Sequence, residues 1–230
     1  MRTNRACVLG LALAGLLALA GCSRNHYTLA PAPEPAPPPV SPVAAVRLFQ
    51  WGWNHLDEDP FRREMPADFR FVFAPWDSAG NPFRDFPLDR QAMHDILHHC
   101  FESGGSGIAR AQSVDLRFAT TLVPQPDPRP GMNPRWHQVV ATSFDLALQR
   151  ADTVGSYRVT GGVRFWLVRG DSAAIPPDLA ALGVVPDSTR WYVQEWDEET
   201  VGTSEAARVG PAGTEPGRKL TWGDLLLLYR

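Results

Sequence analysis

The chain has 230 residues and 25.4 kDa, with 44% apolar, 10% aromatic and 20% charged residues. That mix excludes a wholly disordered chain, a collagen-like chain and a coiled-coil rod, and 19 Gly with 22 Pro disfavour an all-helical bundle. A formal net charge of −3 provides no basic field for nucleic acid.

Residues 1–22 read MRTNRACVLGLALAGLLALAGC. Arg2 and Arg5 give a positive start, and 6–20 is a small-and-apolar run. The run is short for a bilayer span and suits the apolar region of a signal peptide. It ends in Leu19-Ala20-Gly21-Cys22, which resembles the lipobox of bacterial lipoproteins. An ordinary signal peptide with a chance cysteine is the competing reading. The resemblance implies that residues 1–21 are removed and that Cys22 carries diacylglycerol on its thiol and a further acyl group, such as palmitate, on its amine. At about 0.8 kcal/mol per buried CH₂, several chains anchor a protein to the membrane where one would not. Ser23, in place of Asp after the cysteine, implies the outer membrane by the family's sorting rule. Without Arg2 and Arg5, 20 Lys and Arg face 25 Asp and Glu, net −5.

Cys7 leaves with the signal peptide and Cys22 is lipidated in this reading, so Cys100 alone remains and no intrachain disulfide is expected. Residues 22–43 form the acylated start and a tether, in which 31–42, PAPEPAPPPVSP, favours an extended polyproline helix about 40 Å long. An SH3-type docking motif is the rival reading of that stretch. The domain, 44–230, is long enough to bury roughly 70% of its unfolded surface.

Val46, Phe49, Trp53 and Leu56 recur at helical spacing and predict a helix over 44–57. Pro60 and Pro66 punctuate the next stretch, 69–73 alternates as a strand, and 75–87 is a loop with a turn at Ala79-Gly80-Asn81-Pro82. A second helix is expected over 89–101. Val114, Leu116, Phe118, Thr120 and Leu122 share one face of a strand. Val140, Thr142, Phe144, Leu146 and Leu148 share a face of the next, and Tyr157, Val159, Gly161, Val163, Phe165 and Leu167 of a third. A fourth strand lies within 189–197, and 152–155 reads as a hairpin turn. Gly161-Gly162 in mid-strand predicts a bulge or bend that curves the sheet. Helices followed by long antiparallel strands give an α+β order. A curved sheet on a long first helix makes a cone with a pocket at its open end.

Asp68-Phe69-Arg70-Phe71-Val72-Phe73 resembles the strand start of the NTF2-like (SnoaL-like, cystatin-like α+β) superfamily. The hairpin Tyr157-Arg158-Val159-Thr160-Gly161-Gly162-Val163-Arg164-Phe165-Trp166-Leu167-Val168-Arg169 followed by Arg190-Trp191-Tyr192-Val193-Gln194-Glu195-Trp196-Asp197 resembles its last two strands. The ending Thr221-Trp222-Gly223-Asp224-Leu225 to Tyr229-Arg230 resembles a short closing helix of lipoproteins of this type. The resemblance implies an NTF2-like cone, N-terminal helices packed on a curved antiparallel sheet. It does not choose among the family's isomerases, dehydratases, cyclases and non-enzymatic binding modules.

Three groups of residues invite chemistry. His94 and His98, at i and i+4, echo a metal-binding helix, but Asp95 replaces the expected Glu and no third ligand is apparent. Covering a core edge is the simpler role for both. Met93, Ile96, Leu97, Cys100 and Phe101 form the buried stripe of that helix, with Asp95 and His99 on its wetter side, so Cys100 reads as a small buried hydrophobe. On the strands, Asp115 and Asp145 fall opposite the apolar sets. Glu195 shares a face with Trp191 and Val193, and is the best candidate for a carboxylate inside the cone. There it could serve as an acid or base, or pair with Arg158 or Arg164. Most of the eight Trp are expected in the core or lining a cavity, and the apolar run 225–228 is too short to cross a membrane. No cofactor, metal or nucleic acid is expected. The sequence thus points to a lipid-anchored envelope lipoprotein whose domain binds a small apolar ligand or an envelope protein. The alternative is a dehydratase, isomerase or cyclase using Glu195, His94 or His98.

Overall fold

The computed structural model describes residues 34–152, 155–170, 187–199 and 220–230. The signal peptide, Cys22, residues 31–33 of the tether and residues 153–154 of the expected hairpin turn lie outside the described residues. The end of the proline-rich stretch rests on the domain. Pro39 is buried and its carbonyl accepts a hydrogen bond from the Trp191 N–H at 2.9 Å.

Helix α1 is Pro42–His55. Ser41 caps it by accepting from the Ala44 N–H at 3.2 Å, and Pro42 fills the first position, where its missing N–H costs nothing. It stops two residues before the expected end because Leu56 turns left-handed (φ 52°) and returns its N–H to the Gly52 and Trp53 carbonyls. A short α2, Asp59–Glu64, comes next with Pro60 in its first turn. In the sequence it shows only as a punctuated stretch, since six residues carry too little periodicity. Gly52 lets it close on α1, because a Cβ there would meet the Phe61 ring at 2.7 Å. Strand β1 is Arg70–Val72, a 3₁₀ turn covers Ser78–Phe83, and β2 is Leu88–Asp89. Helix α3, Arg90–His98, is capped by Asp89 and continues into a π turn, His99–Ser103.

The remaining strands are β3 (Ala111–Phe118), β4 (Gln125–Pro126), β5 (His137–Arg150), β6 (Ser156–Arg169) and β7 (Trp191–Glu198), and the chain closes with helix α4, Trp222–Leu228. The main sheet order is β2-β1-β7-β6-β5-β3, with β4 paired to β5. Helices on a mostly antiparallel sheet give the α+β order that the sequence leads one to expect. One pairing departs from a purely antiparallel sheet: β1 and β7 are parallel, Arg70 opposite Glu195 and Val72 opposite Asp197. The intervening helix and long strands supply the crossover that parallel neighbours require.

The apolar sets expected on the long strands do face the core. Val114, Leu116 and Phe118 of β3, Val140, Phe144, Leu146 and Leu148 of β5, and Tyr157, Val159, Val163, Phe165 and Leu167 of β6 are all buried. Thr120, by contrast, is exposed, because β3 ends at Phe118. The pairing of β5 with β6 runs unbroken through Gly161 and Gly162, so the expected bulge is not there. The register instead shifts in β3 between Ala111 and Ser113, and in β7 opposite Trp166 and Leu167.

The centre of the fold is aromatic. Trp222 of α4, fully buried, has its ring centroid 4.5 Å from that of Phe144, 4.6 Å from Trp196 and 5.6 Å from Trp53. Phe49 meets Phe61, Phe165 and Trp196 edge-on at 4.9 to 5.1 Å. Offset and edge-on contacts of this kind add about 0.5–1.5 kcal/mol per pair beyond burial.

Candidate functional site

The register shift in β7 decides where its carboxylates point. Leu167 pairs with Val193 and the adjacent Trp166 with Glu195, so Gln194 is an extra residue and the alternation slips by one. Trp191 and Val193 face the core before the bulge, and Trp196 and Glu198 face it afterwards. Glu195, expected inside with Trp191 and Val193, lies on the outer face with Asp197. Uniform alternation gave the wrong face because a bulge leaves no signature in the apolar pattern of so short a strand.

On that outer face Glu195 accepts hydrogen bonds from Arg70 at 2.9 Å and Arg129 at 3.4 Å. These take the place of the expected Arg158 and Arg164, which pair with Asp145 and Glu199. Arg129 also chelates Asp127, at 2.7 Å in its shortest contact, and lies 4.0 Å above the Trp166 ring. The Trp166 indole donates to Asp197 Oδ2 at 2.7 Å, while Asp197 Oδ1 is buried without a hydrogen-bond partner. Burial raises the Asp197 carboxyl, the Trp166 bond pulls it back, and the adjacent Glu195 raises it again, to about 6.

Glu198 is the carboxylate of β7 that faces the core, at 2% exposure. Its Oε1 accepts from the Trp222 N–H at 2.7 Å and its Oε2 from the Gly223 N–H at 3.0 Å. Thr221, whose side chain caps α4, donates to the buried Asp77 at 2.7 Å. These contacts hold Trp222 in the aromatic centre.

His94 and His98 lie in different surroundings. His94 is 8% exposed, whereas the His98 side chain is half-exposed and its Nδ1 meets Glu58 Oε1 at 2.8 Å. Arg62 binds the other Glu58 oxygen at 2.9 Å. Burial would raise the Glu58 carboxyl, but Arg62 and His98 outweigh it and hold it below the usual range. This His–carboxylate pair borders an open cleft of about 580 Å³, lined also by His55, Asp57 and Glu102. With Nδ1 engaged by a carboxylate, acid–base exchange falls on Nε2. Among the described residues no three His, Cys, Asp or Glu side chains converge as a metal site. Cys100 lies in the expected buried stripe, and burial pushes its thiol well above the ordinary range. His99, expected on the wetter side, is half-buried because its Nδ1 meets the Tyr229 carbonyl at 2.8 Å.

Sequence reasoning missed Glu198, Glu58, Arg129 and the partnership of Asp197 with Trp166. The capping signal Thr221-x-x-Asp224 was present for α4, but nothing local ties that helix to Glu198, 23 residues or more upstream.

No family model matches the sequence, and no curated protein matches it. Solved structures with a related shape include a Novosphingobium aromaticivorans protein named for scytalone dehydratase, with 9% identity over 77% of this chain and 92% of that one and a TM-score of 0.47. A second protein from that organism, named for an aromatic ring hydroxylase, has 8% identity over 76% and 96%, with a TM-score of 0.49. An NTF2-like superfamily protein from Salmonella enterica serovar Typhimurium has 11% identity over 76% and 92%, with a TM-score of 0.42. Likenesses at this level say nothing of activity.

Proposed function

We propose that the chain is an acylated envelope lipoprotein, held by Cys22 in the outer membrane, whose NTF2-like domain is a non-enzymatic module that meets an envelope protein on its surface. The observation that carries the binding reading is the aromatic packing around Trp222. Trp222, fixed by Glu198, occupies the space among Phe49, Trp53, Phe118, Phe144 and Trp196. An interior taken up by the protein's own rings favours a surface partner over a small apolar ligand held inside. The lipobox resemblance supports the anchor. Cells fed an alkyne-tagged fatty acid should label the wild-type chain and not Cys22→Ala. Equal labelling of the variant overturns the anchor.

A second reading rests on the Glu58–His98 pair beside its cleft. A carboxylate-oriented imidazole is acid–base machinery, and an isomerase or dehydratase would use it there and not inside the cone. Any turnover found should then vanish in His98→Gln and survive in His94→Gln.

A further inference from the structure

We infer that Glu195 and Asp197 form a proton-binding site on the outer face of the sheet, covered by Trp166 and Arg129, which ties the stability of the fold to pH. Four observations place it. The two carboxyls stand two residues apart on the same side of β7 after its bulge. Asp197 Oδ1 is buried with no donor. The Glu195 side chain is only 12% exposed. The Trp166 indole, a neutral donor, is spent on Oδ2.

Two adjacent acceptors, one of them without a donor, suit a shared hydrogen and not another guanidinium. A single proton between the carboxyls gives Oδ1 its missing bond and removes the repulsion of two neighbouring charges. The surrounding groups are accounted for. Arg70 of β1 and Arg129 serve Glu195, with Arg129 divided between Glu195 and Asp127. Arg164 of β6 stands opposite Asp197 in register but pairs with Glu199. His137 of β5 acts on Asp127. Arg164 lowers the Asp197 carboxyl, and burial and the adjacent Glu195 outweigh it. The raised Asp197 carboxyl, at about 6, agrees with this.

A carboxyl whose folded value lies above its unfolded value of about 3.9 stabilises the fold at low pH, and this contribution is lost as pH rises through about 6.

The test uses the full-length chain in detergent micelles. Carboxyl ¹³C shifts of wild type should show Asp197 titrating well above 5. Asp197→Asn keeps the acceptor for Trp166 and donates to Glu195 as the protonated acid does. Its Tm should exceed that of wild type by about 3–6 °C at pH 7.5 and merge with it near pH 4.5. An Asp197 midpoint near 4, or a Tm offset that is the same at both pH values, overturns the proposal. Should Asp197→Asn fail to fold, Glu195→Gln must lower the Asp197 midpoint. A midpoint that stays put also overturns it.

Discussion

Asn54 pairs with Leu116 as a neighbouring strand would: its Oδ1 accepts from the Leu116 N–H at 2.6 Å and its Nδ2 donates to the Leu116 carbonyl at 3.1 Å. β3 is the outermost strand on this side of the sheet, and an open edge is a template for another chain. Gln50 reaches the same carbonyl at 2.8 Å, and Arg47 binds the carbonyls of Ala119 and Thr120. One stripe of α1, at positions 47, 50 and 54, thus satisfies the edge.

Asn54→Ala should lower stability by about 1–2 kcal/mol, because the Leu116 N–H loses its partner at a half-buried position. Urea denaturation measures the loss. Sedimentation should show more self-association than in wild type. An unchanged urea midpoint with no added association would show the edge to be protected by other means.

Glu198→Gln probes how α4 is held. The carboxylate accepts from two backbone N–H groups, and Gln must set an amide NH₂ against one of them. A cost of about 2–3 kcal/mol is expected for a charge-assisted pair at a buried helix start. The near-ultraviolet dichroism of the aromatic centre should change with it. A variant as stable as wild type would mean that the aromatic packing alone fixes α4.

Glu64 gives a second pH dependence. It is 3% exposed, faces Arg190, and burial pushes its carboxyl up to about 7 against that guanidinium. A raised folded value means that its contribution is complete below the unfolded value, about 4.3, and is lost as pH rises through 7. Glu64→Gln retains an acceptor for Arg190. It should flatten the stability profile between pH 5 and 8 by about 1–2 kcal/mol relative to wild type. Parallel profiles would contradict this assignment.

The long elements were legible because their signals are local and repeated. Twelve core positions of β3, β5 and β6 are apolar at period two, and the Met93–Ile96–Leu97–Cys100 stripe repeats at helical spacing. The site was less legible, for reasons that lie in tertiary structure. One extra residue, Gln194, turned Glu195 outward and brought Glu198 inward. The His98–Glu58 contact joins α3 to the turn before α2, 40 residues away. The parallel pairing of β1 with β7 joins the first described strand to the last. None of these contacts has a sequence-local counterpart.

Trp222 provides the direct test of the filled interior. It is fully buried and touches five aromatic rings. Trp222→Ala should cost about 3–5 kcal/mol, since the transfer energy of the ring is lost and a cavity remains. Apolar walls around that cavity give a small aromatic probe somewhere to bind. Indole at millimolar concentration should therefore raise the Tm of Trp222→Ala by several degrees through binding to the folded state alone, and leave wild type unchanged. Both proteins are compared in one thermal scan series, so general solvent effects of indole cancel. A wild-type Tm that rises as much as that of the variant would reveal a ligand cavity already present. The balance would then move from a surface partner to a small apolar ligand held within the cone.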